Sequence, residues 1–307
     1  MLPIRAFAVV ALLVIPFSVG GMGCADPPAS EGEAAGDSIA ATAPGTDVYL
    51  ASLHTTNGSL RVGTPQPRTS HPGYDNQPAF LDDGSGLIWT SIRDGQADVY
   101  RASGSGQATR LTATPESEFS PTPRPDGRMT LVRVEADGRQ RLWRYEMDGT
   151  PLNPVFPTID SVGYHAWLDS THVALFILGS PPTLRVVDVT TGADTVVAAR
   201  IGRSLQPVPG RAAVSFVQVG PDSSTAIHQL DGGSLRTRPL VQTPGEGTGD
   251  FHAWTPGGHL LMAVSNTLQA WHPEADGWHV VADLDTMTVS RLAVSPSGTR
   301  LAFVVDE

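Results

Sequence analysis

Residues 76–112 read Asn76-Gln-Pro-Ala-Phe-Leu-Asp-Asp-Gly84, Leu87-Ile-Trp-Thr-Ser-Ile92, Arg93-Asp-Gly95, Asp98-Val-Tyr-Arg-Ala-Ser103, Gly104-Ser-Gly106 and Thr109-Arg-Leu-Thr112. Four short extended runs are separated by Asp, Ser and Gly turn signals, which is the pattern of consecutive antiparallel strands. Close relatives of this unit follow it along the chain.

A second copy runs from Ser120-Pro-Thr-Pro-Arg-Pro-Asp-Gly127 to Phe156, and a third from Tyr164-His-Ala-Trp167 to Ala199. A fourth, more degraded copy runs from Leu205-Gln-Pro-Val208 to Val241, and a fifth from Phe251-His-Ala-Trp254 to Ala282. At the C-terminal side, Arg291 to Val305 supplies only the first half of a unit. At the N-terminal side, Val48–Leu53 and Ser59–Gly63, joined across Asn57-Gly58, supply only a second half. Together the halves make a sixth copy. Aligning Phe80, Pro123, Trp167, Val208, Trp254 and Val294 gives intervals of 43, 44, 41, 46 and 40 residues. Four strands per period of about 40 to 50 residues are the signature of a propeller blade.

The expected fold is therefore all-β: a six-bladed propeller over 47–307 with four-stranded antiparallel blades. Strands in 47–63 are expected to pair with strands in 291–305 and close the ring. Blades pack on both faces, so middle strands such as Val173 to Leu178 read as continuous apolar runs rather than alternating ones.

Composition agrees with short strands and tight turns: of 307 residues, 32 are Gly and 26 Pro, and only 17% are charged. The formal charge is -11 and every basic residue is Arg. Such a chain is repelled by a phosphate backbone, which argues against nucleic acid as a partner. The single cysteine, Cys24, excludes an intramolecular disulfide and a Cys-based metal cluster.

Residues 1–23 hold one basic residue (Arg5), an apolar run from Ala6 to Phe17 and a stretch of small residues, the three-part layout of a secretory signal. Gly21-Met22-Gly23-Cys24 resembles the bacterial lipobox, which implies lipidation of Cys24. Secretion after another cleavage and an uncleaved anchor are the alternatives. Residues 25–46 contain one large aliphatic residue, Ile39, and read as a disordered tether. After a lipidated cysteine, Ala25 is compatible with the periplasmic face of the outer membrane.

Tyr74-Asp-Asn-Gln-Pro-Ala-Phe-Leu-Asp-Asp-Gly84, Ser120-Pro-Thr-Pro-Arg-Pro-Asp-Gly127, His252-Ala-Trp-Thr-Pro-Gly-Gly258 and Ala293-Val-Ser-Pro-Ser-Gly298 resemble the Pro-x-Trp-Ser-Pro-Asp-Gly pattern of WD-repeat-like propellers of the TolB type. The likeness spans about residues 47–307. TolB carries an α/β domain before its propeller, where this chain has the tether. Related propellers accompany serine peptidases, but this sequence holds no Gly-x-Ser-x-Gly elbow. The resemblance implies an envelope protein that binds other proteins or sugars.

The first strand of each blade lines a propeller's central channel. Tyr164, His165, Gln206, Asp250, His252 and Arg291 are the expected residues at a channel-mouth binding site. His165 and His252 share one repeat position, two residues before a Trp, and in the resembling oligogalacturonate lyases channel histidines hold a metal. Two histidines fall short of the three protein ligands of a catalytic metal. The competing reading places each histidine where the motif has Pro, bonded to the turn. His54, His71, His172, His228, His259, His272 and His279 read as surface residues, and Trp89, Trp143, Trp271 and Trp278 as inter-blade packing. The Gly-rich segment 243–250 lacks Lys and carries Glu246 and Asp250, which argues against a phosphate cradle. The Asp-Gly pairs at 94, 126, 137, 148, 231 and 276 read as hairpin turns with positive φ.

The expected function is a monomeric, lipid-anchored, non-catalytic binding or scaffold module for an envelope protein or glycan. It needs no cofactor and touches the membrane only through its N-terminal lipid. The alternative is a metal-dependent lyase-like or hydrolase-like enzyme using His165 and His252.

Overall fold

A computed structural model of the chain describes residues 43–56, 58–245 and 251–307. Cys24, the signal segment, most of the tether, Asn57 and Asp250 lie outside the described residues. The described residues form six antiparallel sheets and no helix, arranged as a six-bladed propeller. Blade 1 runs from Asp75–Phe80 (innermost) through Gly86–Arg93 and Gln96–Ser103 to Thr109–Arg110. The innermost strands of blades 2 to 5 are Ser117–Pro123, Val162–Trp167, Ile201–Pro207 and His252–Trp254.

Blade 6 is built from both ends of the described chain. Its order from the centre outward is Val289–Val294, Arg300–Asp306, Thr46–Thr56 and Ser59–Val62, with the short strand Gln66–Pro67 also pairing to Thr46–Thr56. The seam runs in unbroken register from Thr46↔Asp306 to Ser52↔Arg300. Tyr49 stacks on Phe303 with ring centroids 5.9 Å apart, and Val48, Phe303 and Val304 have no exposed surface. Each such side chain removed from water contributes roughly 1.5–3 kcal/mol, so this seam holds the ring closed. The first strand begins at Thr46, one residue before the expected boundary.

The core lies between blades rather than inside any one of them. Val132 and Leu142 of blade 2 pack with Val162 and Leu175 of blade 3, and Val217 and Ile227 of blade 4 pack with Leu260 and Met262 of blade 5. A strand with a neighbouring blade on each face buries successive residues, which is why Val173–Ile177 are all buried.

Strand pairing corrects the alignment in the fourth copy. Pro207, paired with Val214, occupies the position that Trp254 holds opposite Leu260 and Trp167 opposite Val173; Val208 lies one residue beyond it. The turn reading is also revised in part. Gly95, Gly127, Gly138 and Gly149 adopt positive φ, but Gly232 and Gly277 do not.

Five innermost strands carry a break in register in their first half: between Asn76 and Ala79, Phe119 and Thr122, Val162 and Tyr164, Ile201 and Leu205, and Val289 and Leu292. A bulge bends the strand and re-aims a side chain. Gln77 (φ 58°) and Ser120 (φ 54°) lie in two of these breaks with left-handed backbone. The Gln77 Oε1 atom accepts from the Thr90 hydroxyl at 3.0 Å and from the Ser120 backbone N–H at 2.6 Å. That pair of bonds ties the bulge of blade 1 to that of blade 2.

A central channel as candidate functional site

The six innermost strands surround a central cavity of about 380 Å³ to which every blade contributes side chains. Tyr164, His165, Gln206, His252 and Arg291, all expected to face the channel, line it together. Asp250 lies outside the described residues.

Arg291 and Tyr164 meet although they come from blades 6 and 3, which are opposite one another in the ring. The guanidinium donates to the Tyr164 hydroxyl at 2.9 Å, lies 4.0 Å from the Phe251 ring centroid and 5.1 Å from that of Tyr164. A planar cation suits this position because it stacks on aromatic faces while its N–H groups still donate in its own plane. The result is a crossbar over the channel. The Tyr74 hydroxyl belongs to the same neighbourhood. Burial pushes it up to about 12, against the opposing fields of Arg291 and Arg203, so at neutral pH it remains a proton donor.

His165 and His252 serve a different purpose. His165 Nε2 lies 2.8 Å from the Thr130 hydroxyl, on the second strand of the preceding blade, and the Trp167 indole N–H donates to that same oxygen at 3.1 Å. His252 Nε2 lies 2.7 Å from the Ser215 hydroxyl of its preceding blade, and Trp254 donates to it at 2.8 Å. An indole N–H can only donate. The Thr130 oxygen therefore accepts from Trp167 and shares one further hydrogen bond with His165 Nε2, whose direction follows the imidazole tautomer. Burial lowers the His165 pKa to about 3, so the ring stays neutral. The expected bond from histidine to its own turn is replaced by a bond to the neighbouring blade, because the second-strand hydroxyl is presented across the interface where the motif Pro would otherwise pack.

The other histidines divide differently from expectation. His259 is buried, donates through Nε2 to the Gly58 carbonyl at 3.1 Å and faces the His272 ring at 4.8 Å. Trp89 is fully buried and donates to Asp75 Oδ1 at 3.0 Å, in keeping with a packing role. No group of three or more His, Cys, Asp or Glu side chains suited to a metal ion is found among the described residues.

Two channel residues, Arg203 and Phe251, escaped the sequence reading, as did Tyr74 at the start of blade 1. Arg203 lies in the bulge of the most degraded copy, two residues before the first segment recognised there, and no repeat position predicts it. Tyr74 precedes the first strand of blade 1 and is bridged to Thr46 at the start of the closing strand. Phe251 stands immediately before the His-x-Trp triplet.

No protein-family model matches this chain. The uncharacterized protein Atu1656 of Agrobacterium fabrum is 26% identical over 204 residues, which span 66% of this chain and 58% of that protein. The chain thus covers somewhat over half the length of the relative it matches. Among solved structures, a protein described as TolB from Agrobacterium tumefaciens superposes with a TM-score of 0.64 at 14% identity, covering 85% of this chain and 99% of that one. A gluconolactonase from Xanthomonas campestris superposes with a TM-score of 0.60 at 12% identity, covering 86% and 97%. At these identities the likeness concerns fold alone: the chain has the six-bladed β-propeller fold that TolB also has.

Proposed function

We propose that this protein is a binding module of the bacterial envelope, tethered through a lipid on Cys24, and that it holds its ligand at the mouth of the central channel. The observation that carries this reading is the convergence of all six blades on one cavity crossed by Arg291 and Tyr164. A cavity of about 380 Å³ lies within the usual range of ligand sites, roughly 300–1,000 Å³. Its walls mix aromatic faces with a few placed hydrogen-bonding groups, as binding sites do. The TolB-like fold supports an envelope setting.

The enzymatic alternative would require His165 and His252 to offer ring nitrogens to a ligand or metal. Their Nε2 atoms instead hold the hydroxyls of the preceding blades, which favours binding over catalysis. Crosslinking in native membranes followed by purification tests the reading. One protein or glycan recovered with wild type and lost with Arg291→Ala is expected; repeated recovery of no partner overturns it. The anchor has its own test: Cys24→Ser should move the protein from the membrane to the soluble fraction, and unchanged membrane retention would refute lipidation.

A further inference from the structure

The charged side chains lining the channel are distributed unequally. Among the described lining residues they are Arg203, Arg291 and Asp82. Arg203 and Arg291 belong to the first halves of their innermost strands, whereas Asp82 follows the end of the strand Asp75–Phe80. All six innermost strands line the same channel, so the two guanidiniums stand toward one mouth and the carboxylate toward the other. Burial raises the Asp82 pKa, and the neighbouring carboxylates Asp83 and Asp126 add to that effect. The same mouth also carries a cation: Arg300 donates to the Gly84 carbonyl and lies 5.1 Å from the Phe80 ring centroid.

Both arginines sit inside register breaks, Arg203 between Ile201 and Leu205 and Arg291 between Val289 and Leu292. The bulges interrupt the ladder at the positions where two cations face the channel. Arg291 is held by Tyr164 and Phe251. Arg203 is half-buried and, among the described residues, forms no ion pair. In a chain of net charge -11, a guanidinium kept in a cavity without an ion-pair partner is one whose counter-charge can come from outside.

We infer that this mouth recognises a carboxylate carried on an extended peptide, with Arg203 as the receiving guanidinium and the Phe251–Arg291 stack on the same channel wall. This rests on the channel-mouth reading above and names its ligand class. The choice of a peptide over an acidic glycan follows from the wall beyond the arginines. There Pro78, Pro121, Pro123, Pro207, Pro209 and Pro296 present rings and no backbone N–H. Sugar hydroxyls would find few donors there, whereas an extended peptide can lay apolar side chains against the proline rings.

The test uses the full chain and a fluorescein-labelled, C-terminally amidated Gly-Ser-Asp-Glu-Asp-Gly-Trp peptide, its amidated Asn/Gln counterpart, and a labelled trigalacturonate, all measured by fluorescence anisotropy at low and high salt. The expected result is binding of the acidic peptide that weakens at high salt and falls at least about tenfold for the Asn/Gln peptide. Arg203→Ala should weaken acidic-peptide binding by a similar factor, with Arg203→Lys in between because it keeps the charge and loses the fork. Thermal melting of both variants verifies folding. Equal binding of acidic and neutral peptides, or an unchanged affinity in Arg203→Ala, overturns the inference. Arg203-dependent binding of trigalacturonate alone overturns the peptide assignment. If none of the probes binds while an envelope partner is still recovered by crosslinking, the inference fails and the binding-module reading stands.

Discussion

The Nε2 atom of His165 lies 2.8 Å from the Thr130 hydroxyl, and this contact joins the innermost strand of blade 3 to the second strand of blade 2. His252 and Ser215 repeat it between blades 5 and 4 at 2.7 Å. At the position equivalent to Thr130 the remaining blades carry Ile88, Ala174, Leu261 and Ala302. The residues that follow them at the histidine position are Pro121, Leu205, Leu292 and Pro78. Hydroxyl meets imidazole, and apolar side chain meets Pro or Leu. Leu205 shares a cluster with Ala174, and Leu292 with Leu261.

That pairing rule is testable by a double-mutant cycle. His165→Leu and Thr130→Ala should each lower stability by about 1–3 kcal/mol, because each leaves a buried partner unsatisfied. The double variant recreates the Leu205–Ala174 pair and should recover part of the loss, with a coupling of about 0.5–3 kcal/mol in urea unfolding. Strictly additive effects would show that the two side chains do not act as a unit. Since both Nε2 atoms are occupied, Mn²⁺ or Zn²⁺ should leave the melting temperature unchanged; a metal-dependent rise would reveal a histidine released for ligation.

Acidification acts on the buried groups in opposite directions. Glu118 is fully buried and accepts from the Thr112, Thr114 and Tyr145 hydroxyls. Burial raises its pKa above 4.5 despite those bonds, and burial likewise raises Asp98 above 3.8 despite the Arg110 ion pair at 2.7 Å. For such groups the folded state takes up a proton first. Stability is gained as pH falls through the raised values, and the gain is complete below the unfolded ones. Asp169 opposes this: burial is outweighed by bonds from the Thr171 and His172 backbone N–H groups, and its pKa falls to about 2. Its contribution is lost as pH drops from 3.8 toward about 2. His165, held down to about 3 by burial, also opposes it, because stability is lost as pH falls from 6.5 toward about 3. The urea midpoint should therefore fall on acidification, and Glu118→Gln should steepen that fall by removing an opposing proton uptake.

Removal of residues 287–307 takes away the two inner strands of blade 6 and leaves Thr46–Thr56 without its inner partner, Arg300–Asp306. The whole domain should lose cooperative unfolding, while Phe303→Ala should cost about 3–5 kcal/mol. A truncated protein melting at the full-length temperature would refute the shared closing blade.

Gly149 leaves no room for a side chain. Its φ is +91°, and a Cβ atom there would stand 1.9 Å from the Leu111 carbonyl oxygen of the preceding blade. Gly149→Ala should therefore destabilise by more than about 1 kcal/mol. Gly138→Ala also has positive φ but meets nothing within 4 Å, so it should cost less. Equal losses would assign the effect to φ alone.

The repeat of Phe80, Pro123, Trp167, Trp254 and Val294 made the blade count and the closing seam readable before any coordinates, because strand period and turn chemistry are local properties. The same locality identified the innermost strands, and hence Tyr164, His165, Gln206, His252 and Arg291 as channel residues. The roles of those side chains were not local. The partner of His165 is a hydroxyl 35 residues earlier, and that of Arg291 is a phenol 127 residues away on the opposite blade. Arg203 reaches the channel through a bulge in a copy whose motif has decayed. Which residue fills the channel depends on six strands converging, and that arrangement exists only once the ring is closed.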